Sequence, residues 1–145
     1  MSPKAAILSA AGASIRVPPG TYCTTESRDF DRDGYVLGMC ADTAEPTEPP
    51  RPRLEVAPGS RVRARFRDNR RIDDEVERLS AWLVHVDEQG MAFLPGRIEV
   101  HHVPTTRRWK LTLPARLRGA NGLYLFVRYK NRSGDADFLA GLKPR

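Results

Sequence analysis

The chain is short of cysteine, lysine and long apolar runs, and each shortage excludes something. Two cysteines in 145 residues, Cys23 and Cys40, cannot make the dense bridge framework of a scaffold that lacks a core. A chain of this length buries a core of its own. No apolar stretch is long enough to cross a bilayer as a helix. Residues 5–13 are apolar but few, are interrupted by Ser9 and Gly12, and follow a single lysine, which makes a poor secretory signal. If the domain is exported, the chain reads as an ectodomain trimmed of its signal or anchor. Four lysines stand against twenty arginines, so arginine carries the net charge of +6. Such a surface attracts polyanions: nucleic acid, anionic headgroups or phosphate-bearing wall polymers.

Catalytic signatures are missing as well. There is no Gly-x-Ser-x-Gly, His-Glu-x-x-His, Gly-x-x-x-x-Gly-Lys or Gly-x-Gly-x-x-Gly string. The acidic pairs Asp73/Asp74 and Asp135/Asp137 would need a cavity that raises a carboxyl pKa before they could do acid–base work. The chain is therefore expected to be no enzyme, with no catalytic residue assigned.

What is present is strand pattern. Residues 1–13 read as a disordered or lead-in segment, and residues 14–145 as one β-sandwich domain. Ser14–Val17 gives a first strand, ended by Pro18-Pro19-Gly20. Residues 43–53 are proline-rich and suit only an extended connector. From Arg61 to Arg67 the alternation is strict: Val62, Ala64 and Phe66 on one side, four arginines on the other. Trp82, Val84 and Val86 form a further inward set, opposite Leu83, His85 and Asp87. Ile98, Val100 and His102, then Trp109, Leu111 and Leu113, alternate in turn. Leu123–Tyr129 is apolar on both faces, as a central strand is, and Phe138, Ala140 and Leu142 mark a last strand. The segment 72–83 dissents, because Ile72, Val76, Leu79 and Leu83 recur at helical spacing; it reads as a short helix or a polar loop.

About seven strands with regular turn signals predict an all-β, immunoglobulin-like antiparallel β-sandwich. Trp82 would be its core tryptophan and Tyr124 its tyrosine corner. Trp82 and Trp109 are expected in the core, an exposed sugar-binding face being the other reading, because flat aromatic sheet faces bind glycans.

Three constellations carry chemistry. Arg61, Arg63, Arg65 and Arg67 line one sheet face over about 20 Å at ~3.3 Å per residue, and guanidinium forks suit phosphate and carboxylate. The stripe is a polyanion- or acidic-partner-binding surface unless acids on the neighbouring strand, or Asp73, Asp74, Glu75 and Glu77, answer it. Nucleic acid is disfavoured, since no stacking aromatics interleave with it. Asp29-Phe30-Asp31-Arg32-Asp33-Gly34 spells D-x-D-x-D-G. Asp29, Asp31, Asp33 and the Tyr35 carbonyl could begin a calcium site, closed by Asp42 or Glu26. The twelfth position is Cys40, so a standard EF-hand is excluded, and a solvated polar turn is the plainer reading. His101 and His102 point to opposite faces of a strand. With His85 they make a poor zinc set, and a thiol ligand would need Cys23 or Cys40 free.

The strings Gly20-Thr21-Tyr22-Cys23, Cys40-Ala41-Asp42 and Val56-Ala57-Pro58-Gly59 resemble a pattern in small bacterial lipoproteins and membrane-anchored ectodomains. The ending Tyr124-Leu125-Phe126-Val127-Arg128-Tyr129 to Gly134-Asp135-Ala136-Asp137-Phe138 is similar to the last hairpin of that group. The resemblance implies a Cys23–Cys40 disulfide stapling an N-terminal loop, an immunoglobulin-like sandwich, a cell-surface location and no catalytic residues. The chain departs from the pattern at Thr24, where an aromatic residue is usual, and in its longer intercysteine loop. The expected role is a non-catalytic, extracytoplasmic binding or structural module that meets a protein or an anionic surface polymer. The alternatives are a calcium-stiffened accessory domain, or a cytosolic adaptor with free thiols.

Overall fold

The computed structural model describes residues 4–27, 36–42, 49–66, 76–104, 106–130 and 134–145, with backbone alone for 24–27, 36–39 and 42. Two sheets face each other across one apolar layer, and no α-helix occurs among the described residues. No helix there is long and apolar enough to cross a membrane.

The smaller sheet has five strands in the order β2 (Ala13–Val17), β1 (Ala6–Ala10), β6 (Arg61–Phe66), β10 (Arg108–Thr112) and β9 (Glu99–His102). The larger has seven. Six run in the order β4 (Val36–Asp42), β3 (Pro19–Ser27), β12 (Gly134–Pro144), β11 (Gly122–Tyr129), β7 (Val76–Asp87) and β8 (Gly90–Phe93), and β5 (Arg53–Val56) pairs with β12. All pairs are antiparallel except β5 with β12, which is parallel. The expected sandwich is therefore present, built from twelve strands among the described residues rather than about seven.

Alternation explains most elements directly. In β6, Val62, Ala64 and Phe66 are buried while Arg61, Arg63 and Arg65 are exposed; in β10, Trp109 and Leu111 are buried and Lys110 and Thr112 exposed. Leu123, Leu125 and Val127 of β11 join Ala136, Phe138, Ala140 and Leu142 of β12 in the core, and Phe138 meets Phe66 of the other layer at a ring-centroid distance of 5.6 Å. The strand Leu123–Tyr129 lies, as expected, between two others.

Four expectations change. The lead-in contains β1, whose Ala6 and Leu8 are fully buried between β2 and β6. Its turn Ala11-Gly12 has positive φ at both residues (50° and 79°), the type I′ geometry of a two-residue hairpin. The stretch from Val76 to Leu83 is neither helix nor loop but part of β7, and residues 72–75 lie outside the described residues. A register shift sets Arg128 opposite Arg78 but Tyr129 opposite Val76, so Glu77 is an extra residue on β7. This bulge brings Val76 against the core with Leu79, and so imitates the three-residue step of a helix. The inward set of β7 is Leu79, Ala81 and Leu83. Trp82, Val84 and Val86 lie on the opposite, outer face, where Val84 and Val86 are nonetheless buried. Finally, Tyr124 makes no tyrosine corner: its hydroxyl donates to Asp137 of the next strand at 2.9 Å, not to upstream backbone.

The cysteines sit on paired strands rather than at the ends of a loop. Cys23 of β3 is directly opposite Cys40 of β4, and a disulfide joins them with Cα atoms 4.0 Å apart. The staple thus ties two adjacent strands of the large sheet. Neither thiol is free, which removes the free-thiol alternative in that form.

Candidate functional sites on the two outer faces

The outer face of the small sheet carries the arginine stripe. Arg61, Arg63 and Arg65 project from it, and Arg67 lies outside the described residues. The neighbouring strand supplies no acids. Arg65 is directly opposite Arg108, and Arg63 is opposite Lys110. On the other side, Arg65 faces Ile7 and Arg63 faces Ser9, with Arg16 beyond Ile7 and Ser14 beyond Ser9. Glu99, opposite Thr112 on β9, is the one carboxylate of this face among the described residues. The described residues include no ion pair to any of these cations. Like charges directly opposite on a ladder repel, so the arrangement costs stability rather than adding it. The β1–β2 hairpin borders a shallow groove of about 570 Å³ beside the stripe, lined by Ile7, Ser9, Ser14, Arg63, Arg65 and Lys110 among others.

The outer face of the large sheet is aromatic, which places Trp82 on an exposed face, the second of its two readings, and not in the core. Trp82 of β7 is opposite Tyr124 of β11, Phe126 follows two residues on, and Phe93 of β8 is opposite Val84. Ring centroids lie 5.2 Å apart for Phe93–Tyr124, 5.8 Å for Trp82–Phe93 and 6.1 Å for Trp82–Tyr124, with Phe93 edge-on to both. Arg97 places its Cζ 5.4 Å from the Trp82 ring centroid. Trp82 is therefore no core residue. Trp109 is, with the His102 ring tilted against it at a centroid distance of 4.7 Å.

Asp137 fixes one side of that face. β3 bulges against β12, with Tyr22 opposite Ala136 but Pro19 opposite Phe138. Within this bulge the Thr21 N–H donates to Asp137 Oδ1 at 2.7 Å, and Oδ2 accepts from Tyr124. Gly20 makes the approach possible, since a Cβ there would stand 2.5 Å from Oδ1. Burial, followed by the carboxylates of Asp137 and Asp135, pushes the Tyr124 phenol above its ordinary range. Asp135 is also pushed up. Burial is the main cause, opposed by Arg128 across the ladder and reinforced by Asp137.

The proposed calcium ligands Asp29, Asp31, Asp33 and Tyr35 lie outside the described residues, and the side chains of Glu26 and Asp42 are not described. Two of the three histidines are separately engaged: His85 donates from Nδ1 to the Gly119 carbonyl at 3.1 Å, and His102 from Nε2 to that of Thr106 at 2.7 Å. Among the described residues no three His, Cys, Asp or Glu side chains converge as a metal site would need. Comparison with protein-family models, curated proteins and solved structures finds no match to this chain.

Proposed function

We propose that the domain is a non-catalytic, extracytoplasmic binding module of a bacterial surface protein, and that it holds a linear polyanion along the outer face of the small sheet. The observation that carries this reading is the pair of like-charge registers, Arg65 opposite Arg108 and Arg63 opposite Lys110, with no carboxylate paired to them among the described residues. A face that only needed to be soluble would gain by alternating signs. Cations held against their own repulsion are instead repaid when an anion binds across them. Alternate residues on a strand repeat at about 6.7 Å, a spacing that suits regularly placed phosphate or sulfate groups. The Cys23–Cys40 disulfide supports an oxidising compartment.

Heparin retention in a salt series tests the reading. Retention should fall steeply with sodium chloride and drop further in the Arg63→Gln/Lys110→Gln variant. Retention indifferent to salt or to that variant would end the proposal. Vesicles of phosphatidylglycerol that bind when heparin does not would transfer the site to a lipid surface.

A further inference from the structure

On the other side of the sandwich, Trp82, Tyr124, Phe126 and Phe93 make a platform whose chemistry differs from that of the basic face. Phe93 is 51% exposed and is the one exposed large hydrophobic side chain among the described residues. The platform is not a loose patch. Phe93 is wedged edge-on between Trp82 and Tyr124, and Val84 and Val86 are buried on the same face of the sheet. The Tyr124 hydroxyl is tied to Asp137, which Thr21 holds in turn. Rings already locked in place lose little freedom when a ligand arrives.

The rim decides what the ligand is. The Asp137 carboxylate is bonded to the Tyr124 hydroxyl, Asp135 lies two residues further along β12 opposite Arg128, and the guanidinium of Arg97 lies over the Trp82 ring. An anion would meet the carboxylates and a cation would meet Arg97. A purely apolar ligand would strip water from the carboxylates and offer them no donor. An uncharged ligand with one apolar face and an edge of hydroxyls uses every part: C–H groups on the exposed ring, a hydroxyl proton to Asp137, and oxygens facing the guanidinium. A pyranose ring has this constitution.

We propose that the Trp82–Tyr124–Phe93–Phe126 platform binds a neutral saccharide chain. Phe93, the exposed ring, provides the stacking surface between the rings of Trp82 and Tyr124, which stand at 82° and 85° to it; Asp137 accepts from a hydroxyl, and Arg97, over Trp82, donates to a sugar oxygen. This site does not depend on the polyanion reading, because it lies on the opposite face of the sandwich.

The test is an immobilised array of neutral oligosaccharides of glucose, xylose, mannose and N-acetylglucosamine in α and β linkage, followed by titration of the best binder with both indole N–H signals observed by NMR. Saturable binding should move the Trp82 signal and leave that of Trp109. Phe93→Ala and Trp82→Leu should each weaken binding at least tenfold while the thermal midpoint shows that they remain folded, and heparin retention should not change. No binding across the array, or equal binding by both variants, would overturn the proposal. So would a concentration-dependent dimer that Phe93→Ala dissolves in the absence of saccharide binding, since the platform would then belong to a second copy of the chain.

Discussion

Lys110 on β10 stands directly across the ladder from Arg63 on β6, two cations in register on an exposed face. Relieving that repulsion should stabilise the domain. Arg63→Gln is expected to raise unfolding free energy by about 0.2–1 kcal/mol at low salt, with the gain fading as sodium chloride is added. Urea unfolding of both proteins at low and high salt checks this. A variant that is less stable than its parent at low salt would mean that Arg63 has an attractive partner.

Asn121 acts as a further ladder residue for β7. Its Nδ2 donates to the Val86 carbonyl and its Oδ1 accepts the Val86 N–H, both at 2.8 Å. Its own N–H donates to the Val84 carbonyl at 3.1 Å. Asn121→Ala leaves a donor and an acceptor of a half-buried strand without partners, at a cost of about 1–3 kcal/mol. Chemical denaturation measures the loss. Asn121→Asp should recover little, because a carboxylate cannot donate to the Val86 carbonyl.

Asp135 gives a pH dependence with a definite sign. Its folded pKa is raised, chiefly by burial, so the folded state holds the proton more tightly than the unfolded chain does. The stability it contributes is complete below the unfolded pKa and is lost as pH rises through the folded one. Asp135→Asn should therefore gain on the parent as pH climbs through the carboxylate range, roughly pH 3 to 6. Thermal midpoints across that range decide the matter, and a difference that does not vary with pH refutes it.

The Cys23–Cys40 bridge spans a sequence separation of 17. Closing a loop of that size contributes on the order of 3 kcal/mol by restricting the unfolded chain. Reductant should lower the urea midpoint of the parent by a corresponding amount and leave a Cys23→Ser/Cys40→Ser variant unmoved.

How much of this could be read from sequence depends on whether a strand has two different faces. β6 and β10 alternate charged with apolar residues, so their buried and exposed sides were legible from Arg61 and Arg108 onward. β7 is apolar on both sides. Leu79, Ala81 and Leu83 compete with Trp82, Val84 and Val86, and a period of two cannot say which set meets the other sheet. The aromatic platform was hidden by that ambiguity, and β8 gave little help, because Phe93 stands in a strand of only four residues. β1 is not legible as a strand because Ala6, Leu8 and Ala10 alternate only with Ile7 and Ser9, too weak a contrast. The like-charge registers could not be foreseen, since the identity of the strand beside β6 is a property of topology and not of local pattern.

β12 bonds to β11 immediately before it in the chain, and also to β3 and β5 from far earlier. Until β12 takes its place, the segments Pro19–Ser27 and Arg53–Val56 lack the strand that joins them to the rest of their sheet. Assembly therefore waits on contacts of long sequence separation, which makes for slow folding. The half-made molecule presents open strand edges meanwhile, and during that interval it is vulnerable to aggregation.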